Sequence, residues 1–415
     1  MVTLFMVSLT GFFIFAYLDL ARAQRNIEAR SQAWNAALAM AEAGIEEALS
    51  QVNPGVSVLT IDRSANGWGT SGGGFYGPVA RTLPNGSYGA VISSDTFPFL
   101  YATGYVSVPS IPAIISRTLR VGTTNAPLFS AVLAAKHNIN MGGNNIFTDS
   151  FNSANTNQSD NGRYPFLYPS RASTNGDVAS VSGLVNVGNS DINGQLLLGP
   201  TGSDNVSSNG KVTGGITNDF NYEFEDVVMP QTNWFQPFVT NSMPIGTNNY
   251  QYVFGPGLPY PNNGGNYIVD NLNGNLYISN VNVTLKLTGS ATPGVIWVAG
   301  SGTTAGKLTI YMDGPSFKVN GSSVVDGGLA ASLCYYGTTN NTSITFGGNA
   351  SFTGTIYAPE ATLTQSGGGS STYDFVGAAV LSSANINGHF SFHYDESLAT
   401  TGPKRGYLPV SWTEL

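Results

Sequence analysis

The stretch MVTLFMVSLTGFFIFAYL (1–18) opens the chain without a single charge, and RSQAWNAALAMAEAGIEEALSQVN (30–53) follows it as an Ala-rich amphipathic run. No Pro occurs before Pro54, so nothing in the sequence interrupts a helix over residues 1–53. At ~1.5 Å per residue, such a helix is roughly 80 Å long. A rod of this length with an apolar tip predicts that something outside the chain covers it.

The apolar segment is at the lower edge of the length that spans a membrane. A secretory signal peptide is the alternative, but that signal has a basic region before its apolar run, and here no Lys or Arg precedes residue 18. We therefore expect the chain to begin after a processing site. We also expect one continuous helix from near Leu4 to Val52, with any loosening confined to the neighbourhood of Gly11.

The second half of the helix has two kinds of face. One apolar stripe recurs at three- and four-residue steps, and it consists of Trp34, Leu38, Ala41, Ile45, Ala48 and Val52. The other faces carry small residues, which allow close approach of a neighbouring helix: Ala33, Ala36, Ala37, Ala39, Ala43 and Gly44. The stripe predicts packing against the chain's own head, whereas the small faces favour helix-on-helix assembly between copies.

Four motifs together resemble the type IV pilin-like proteins, in particular the large minor-pilin-like members. They are AEAGIEEAL (41–49) after the uncharged segment, FTDSFNS (147–153), GTIYAPEATL (354–363) and GHFSFHYDESL (388–398). The resemblance implies an extracellular filament whose core is a bundle of N-terminal helices. Many pilins carry a glutamate at the fifth position of the mature chain, but Phe5 stands here, so the carboxylate contact of that family is not carried over.

The resemblance also implies partners and a location. The partners are further copies of the chain in a helical homopolymer and, before assembly, the pilus assembly machinery and the inner membrane. The location is a cell-surface filament that is membrane-anchored before assembly. The residues expected to form the filament core are Leu4, Phe5, Leu9, Phe12, Phe13, Phe15, Leu18, Asp19, Arg22 and Arg25. Within this set, Asp19 is expected to pair with Arg22 or with an Arg of a neighbouring copy.

Composition limits the class of the remainder. Charged residues make up 10% of the chain, against about 25% in ordinary globular proteins, and there are 51 Gly. Few charges and many turn-forming residues suit a mostly β body. The net charge of −8 leaves no basic patch for nucleic acid, which we exclude as a partner. The single Cys334 rules out an intrachain disulfide.

The fold class predicted is α+β, mostly β, in three parts. Residues 1–53 form the assembly helix, and residues 54–125 form a neck and a small antiparallel sheet with strands near 87–93, 99–108 and 114–121. Residues 126–415 carry short apolar runs between Gly and Asn turns, which predict a β-solenoid-like head, with a β-sandwich as the alternative. An aromatic- and Pro-rich stretch, about 219–265, is predicted to be an irregular surface excursion.

The tightest ionisable cluster is His393, Tyr394, Asp395 and Glu396. His393 and Glu396 could share a metal or act as base and orienter, but the resemblance places this segment at the close of the fold, where it would cap the last coil. Asp149 is expected to accept backbone N–H groups in a turn. We therefore predict no catalytic residue, no metal and no cofactor.

Two further functions stay open beside the filament subunit. A membrane-anchored or tip-located adhesin would bind glycan or a surface, and the aromatic side chains between residues 221 and 260 could form its patch or could pack over the solenoid. A secreted glycan lyase or hydrolase is the third, because solenoids are often active on polysaccharides. The sequence favours the structural subunit.

Overall fold

The computed structural model describes residues 2–53, 67–71, 73–109, 112–143, 146–299, 305–319, 324–348, 350–367 and 373–415. The predicted breaker Pro54-Gly55 and most of the predicted neck therefore lie outside the described residues. The chain divides into two compact units, residues 1–126 with 405–415 and residues 127–404. One long helix is followed by many strands, so the predicted α+β, mostly β class is confirmed.

The first unit combines the helix with a six-stranded antiparallel sheet. The helix α1 runs without a break, as predicted, and strands are numbered along the chain. The elements of this unit are α1 (Val2–Val52), β1 (Thr70–Ser71), β2 (Phe75–Leu83), β3 (Gly86–Ser93), β4 (Phe99–Ser107), β5 (Ile114–Pro127) and the C-terminal strand β28 (Lys404–Glu414), in the sheet order β1-β2-β3-β4-β5-β28.

The place of β28 differs from the prediction, which put residues 404–414 in the solenoid-like head. The strand instead lies beside β5 at the edge of the small sheet. The Arg117 guanidinium bonds both carboxylate oxygens of Glu414, and the Leu415 N–H donates to the Thr118 carbonyl oxygen at 3.0 Å. A pairing between segments almost 300 residues apart leaves no local pattern that the sequence could show.

The buried face of α1 combines four members of the predicted stripe with small residues from outside it. Its buried residues are Ala33, Ala37, Ala41, Gly44, Ile45, Ala48 and Val52. A Cβ on Gly104 would come within 2.1 Å of the Ala37 carbonyl oxygen, and one on Gly44 within 2.8 Å of the Ala102 Cβ. The sheet approaches so closely that only small side chains fit between it and the helix.

The predicted membership of Trp34 in the stripe packed on the head is wrong, because its side chain is 49% exposed. The helix is rotated so that Ala33 and Ala37 face the sheet and Trp34 lies at the margin, where the Arg117 guanidinium stands 4.8 Å above its ring. The small face around Ala33, Ala37 and Gly44 is likewise covered by the chain's own sheet. That part of the helix is therefore not open to another copy.

One acidic side chain ties α1 to the sheet. The Glu47 carboxylate accepts hydrogen bonds from Tyr88 Oη at 2.6 Å, Arg81 Nη2 at 2.8 Å and Trp68 Nε1 at 3.4 Å. Burial raises the pKa of Glu47, but these three donors outweigh it and the net pKa is lowered. Burial, followed by the nearby Glu47, raises the pKa of Tyr88 to about 12.

Replacing Glu47 with Gln is expected to lower the free energy of unfolding by about 1–3 kcal/mol, because three donors lose a half-buried charged acceptor. The exposed neighbour Glu46 supplies the control, since Glu46→Gln should change stability by no more than about 0.5 kcal/mol. A lowered folded pKa contributes stability above pH 4.5 that is lost as pH falls through that pKa. Urea unfolding at pH 7 and pH 3 measures both effects, and equal losses for the two variants at pH 7 would contradict this account.

The second unit is a stack of mostly parallel strands. Paired residues lie about one coil apart in sequence: Leu276 is beside Ile296, and Leu308 is beside Leu333. Parallel pairing between successive coils is the arrangement of a β-solenoid, whereas a β-sandwich consists of antiparallel sheets. Along the strands buried and outward residues alternate, so that the coils enclose an apolar interior.

The strand bounds of this unit are β6 Leu133–Ala135, β7 Ile139–Asn140, β8 Phe147–Phe151, β9 Val178–Gly188, β10 Asp191–Ile192, β11 Leu196–Val206, β12 Lys211–Val212, β13 Ile216–Thr217, β14 Val239–Ile245, β15 Asn248–Phe254, β16 Gly265–Val269, β17 Leu276–Ser279, β18 Asn282–Leu287, β19 Ile296–Ala299, β20 Lys307–Met312, β21 Ser316–Val319, β22 Val324–Asp326, β23 Leu333–Gly337, β24 Ser343–Gly348, β25 Ser351–Gly367, β26 Tyr373–Ile386 and β27 Phe390–Asp395. A short helix, α2 (Leu398–Thr401), follows, and 3-10 turns lie at Pro169–Arg171 and Ala330–Ser332.

The coils are not stacked in sequence order. The first strands, β6 to β8, lie between β9 and β10 on one side and β26 and β27 on the other. The predicted capping of a last coil by residues 388–398 is therefore wrong, because β27 has β26 on one side and β8 on the other. The segment is an inner coil of the stack.

The predicted excursion 219–265 is only partly irregular. Residues 218–234 contain no regular strand, and they cover the solenoid: Phe224 and Val227 are buried, and Tyr357 Oη donates to the Glu225 carbonyl oxygen at 2.8 Å. The remainder contains the antiparallel hairpin β14–β15, whose second strand pairs with β17. Pro244 and a weak alternation in β14 conceal this strand in the sequence.

Candidate assembly surface

The N-terminal half of α1 is uncovered. An 18-residue window of this helix is long and apolar enough to cross a membrane, and none of that window is buried by the rest of the chain. Every residue from Val2 to Leu20 is exposed. The exposure surrounds the helix rather than following one stripe, and a helix that is apolar all round belongs in an apolar environment on every side.

The seven apolar residues predicted for a filament core all lie on this surface. Exposure is least for Leu9, at 39%, and the set comprises Leu4, Phe5, Leu9, Phe12, Phe13, Phe15 and Leu18. The sequence thus identified an uncovered surface, and its use in assembly remains a prediction. We call residues 2–18 of α1 the exposed apolar half.

The two hydroxyl side chains in the middle of the exposed apolar half already have acceptors. Ser8 Oγ donates to the Leu4 carbonyl oxygen at 2.9 Å, and Thr10 Oγ1 donates to the Met6 carbonyl oxygen at 2.9 Å. Bonds to the preceding helical turn satisfy these groups without water. These two hydroxyls can therefore enter hydrocarbon or a dry bundle already paired.

The charged residues of the predicted core begin where the apolar half ends. Asp19, Arg22 and Arg25 are exposed, and no ion pair involves any of them in the described part of the chain. The predicted pair between Asp19 and Arg22 is thus not formed within one chain. The other predicted partner of Asp19, an Arg of a neighbouring copy, stays a prediction.

The ionisable cluster near residue 393 is assembled differently from the prediction. His393 Nδ1 lies 2.6 Å from Asp149 Oδ1, and His393 Nε2 lies 3.2 Å from Asp374 Oδ1. Strand register explains the first contact, because His393 of β27 is paired with Asp149 of β8. Tyr164 stacks on the imidazole at 3.6 Å between ring centroids and donates through Oη to Asp149 Oδ2 at 2.6 Å.

The predicted role of Asp149 is wrong, and the disfavoured alternative, in which His393 and Glu396 share a metal or act as base and orienter, is not formed. The Glu396 carboxylate accepts from Ser150 Oγ and Asn175 Nδ2 instead. Asp149 does not cap a turn, because its carboxylate is buried and receives His393 and Tyr164. Both ring nitrogens of His393 are engaged and its ring is buried, so the cluster joins β8, β26 and β27 and offers no open nitrogen for proton transfer or for a metal.

Burial of the His393 ring lowers its pKa, but the hydrogen bonds and charges of Asp149 and Asp374 outweigh burial and raise the net pKa above 6.5. The imidazole therefore favours the protonated form, in which both nitrogens donate. Burial, the bond to Asp149 and the charge of Asp374 also raise the pKa of Tyr164, which keeps its phenol protonated as a donor. We call the ionic contact of the buried His393 ring with Asp149 and Asp374 the clamp.

Comparison with known proteins gives a family match and matches among solved structures. Residues 257–401 match a family described as a domain of unknown function (DUF7305). Among solved structures, the chain is similar to the competence-associated pilin ComZ from Thermus thermophilus, with 12% sequence identity, 91% of this chain and 96% of that chain covered, and a TM-score of 0.35. No curated protein matches. The present chain has the long apolar N-terminal helix and β-rich remainder that the sequence resemblance predicts.

Proposed function

We propose that the protein is a structural subunit of a type IV pilus-like extracellular filament. The observation that carries the proposal is the exposed apolar half of α1, which is apolar on all sides and buried by nothing in its own chain. Copies of this helix would bundle in the filament core, while the strands of both units stay outside the bundle. Before assembly, the same helix would hold the subunit in the inner membrane, where the pilus machinery acts.

The alternative is a membrane-anchored or tip-located adhesin, in which the helix remains in a bilayer. Both functions use the same apolar surface, so they differ in what surrounds it. Negative-stain imaging of the purified full chain, in detergent and after its removal, distinguishes them. Uniform fibres after removal support the filament. Particles that are dispersed in detergent and form no uniform fibres once it is removed would overturn the filament in favour of the anchor.

The charged residues next to the apolar half provide a second test. If helices pack side by side, Asp19 would face Arg22 or Arg25 of a neighbouring copy, since no partner for it lies within the described residues of its own chain. We expect Asp19→Ala to raise the concentration of free subunit in equilibrium with filaments roughly tenfold, because an ion pair inside a bundle is lost.

The matched control for this test is Asp219→Ala, which removes an exposed acidic residue from the solenoid unit. Ultracentrifugation separates filaments from free subunit, and the supernatant concentration is measured for each variant. Equal supernatant concentrations for wild type, Asp19→Ala and Asp219→Ala would show that Asp19 is solvated and takes no part in assembly.

A further inference from the structure

The hairpin β14–β15 forms one wall of an open cavity on the solenoid unit. Its two-residue turn is Gly246-Thr247, and Gly246 has a φ of +61°, in the left-handed region that glycine adopts without strain. The cavity has a volume of about 340 Å³ and is lined by Ile245, Gly246, Thr247, Asn248, Tyr250, Tyr277 and Trp297. This volume falls in the range of small-ligand sites, about 300–1,000 Å³.

Tyr277 and Trp297 form the aromatic floor of the cavity, and strand register makes them neighbours. Tyr277 of β17 is paired with Trp297 of β19 on the next coil, so the two side chains are neighbours about 4.8 Å apart along the stack. Their sequence neighbours Leu276, Ile278 and Ile296 are buried, and the alternation turns Tyr277 and Trp297 to the outer face. Both rings are half-buried.

Neighbouring rings hold the floor in place. The Tyr250 ring is buried, and its centroid lies 5.3 Å from that of Tyr277. Tyr260 stacks on Tyr277 at 6.4 Å with an interplanar angle of 14°. Packing from two sides fixes the Tyr277 ring before any ligand arrives, and a preorganised surface loses less entropy on binding.

The polar groups of the cavity are neutral and partly unused. Within the described residues, no hydrogen bond is formed by Thr247 Oγ1, Tyr277 Oη or Trp297 Nε1. No Asp, Glu, Lys, Arg or His is among the lining residues. A phosphate, uronate or peptide charge would find no opposite charge here, whereas hydroxyl groups would find donors and acceptors.

We propose that this cavity is a binding site for a neutral saccharide. A pyranose presents an apolar C–H face and an edge of hydroxyl groups. The face would stack on Trp297 and Tyr277, and the hydroxyls would bond to Thr247, Asn248 and the phenol and indole groups. The adjacent coils place the two rings side by side, so consecutive sugar units of one chain can use both. The site goes beyond filament assembly, because it is remote in sequence from α1 and uses none of its residues.

Isothermal titration calorimetry of the full chain tests the proposal, in a detergent without a sugar headgroup. The probes are cellohexaose, maltohexaose and mannohexaose at millimolar concentration, with polygalacturonate as the charged comparison. At least one neutral hexasaccharide is expected to bind, and Trp297→Ala is expected to weaken it by about tenfold through loss of one stacking ring. Tyr277→Ala should have an effect in the same direction.

Trp412→Ala is the control, since Trp412 is a 52% exposed indole on the C-terminal strand of the other unit. It should leave the affinity unchanged. Circular dichroism of each variant verifies the fold, and a Trp297→Phe variant retains an aromatic ring if alanine disturbs the strand. Binding that survives both Trp297→Ala and Tyr277→Ala, absence of binding to all three neutral probes, or preferred binding of polygalacturonate would each overturn the proposal.

Discussion

A chain that begins at Gln24 will stay folded and soluble and will no longer sediment as filaments. The described residues that the truncation removes, 2–23, are all exposed or half-buried, whereas the buried part of α1 begins at Ala33. Its β-strand content should be unchanged by circular dichroism. The measurement is the fraction of protein in the pellet after ultracentrifugation, compared with the full chain.

The expected effect is large because of the area involved. Ten of the large apolar side chains removed are Leu4, Phe5, Met6, Val7, Leu9, Phe12, Phe13, Ile14, Phe15 and Leu18. At about 1.5–3 kcal/mol each on full burial, they contribute on the order of 20 kcal/mol per copy. Association and ordering costs remove much of this free energy. Even so, exposed ion pairs contribute only about 0–1 kcal/mol each and could not replace it.

A matched pair of point variants refines the test. Phe13→Glu places a charge in the exposed apolar half, where Phe13 is 61% exposed, and Ile114→Glu does the same at a residue 69% exposed in the small sheet. Assembly through the helix predicts that Phe13→Glu stays in the supernatant and that Ile114→Glu forms a pellet. The reverse result, or fibres formed by the chain that begins at Gln24, would mean that the strands hold the copies together.

The parts of the fold that the sequence predicts correctly are those with a pattern in their own stretch of sequence. An uncharged segment, an Ala-rich run and the lack of any Pro before Pro54 predict one helix, and α1 is continuous from Val2 to Val52. The three strands predicted near 87–93, 99–108 and 114–121 correspond to β3, β4 and β5, because alternating residues repeat with the period of a half-buried strand. Short apolar runs between Gly and Asn turns likewise indicated the solenoid.

The parts that were missed depend on pairings between distant segments. β28 joins the small sheet beside β5, and no feature of residues 404–414 alone reveals that partner. Its three- and four-residue spacing predicts Trp34 in the buried stripe, but the close approach of the sheet at Gly104 selects small side chains instead. For the same reason the helix residue Glu47 was overlooked, since its three donors come from other segments of the unit.

The His393 cluster shows the same limit within the solenoid. The sequence singles out both His393 and Asp149, but with separate roles, because they are 244 positions apart. Stacking of β27 on β8 makes them neighbours, and Asp374 comes from the coil on the other side. Coil order that departs from chain order, with β8 beside β27, could not be predicted from the spacing of the apolar runs.

That clamp leads to the second large effect. Replacing His393 with Leu is expected to lower the free energy of unfolding by about 3–5 kcal/mol, because Asp149 would remain buried without its cationic partner. His137 provides the matched control: it is exposed, and its ring contacts only Ser182 Oγ, at 3.1 Å, among the hydrogen bonds of the described residues. His137→Leu should change stability by no more than about 0.5 kcal/mol.

The clamp also predicts how stability depends on pH. The folded pKa of His393 is raised above its ordinary value of 6.5, so its contribution is fully present below pH 6.5 and is lost as pH rises through the folded pKa. Wild type and His137→Leu should therefore lose stability from about pH 6.5 upward, and His393→Leu should lose less over the same range. Urea unfolding at pH 6, 7, 8 and 9 in one detergent measures all three proteins. Identical pH profiles, or equal urea midpoints for His393→Leu and His137→Leu at pH 6, would show that the imidazole is neutral and that Asp149 does not depend on it.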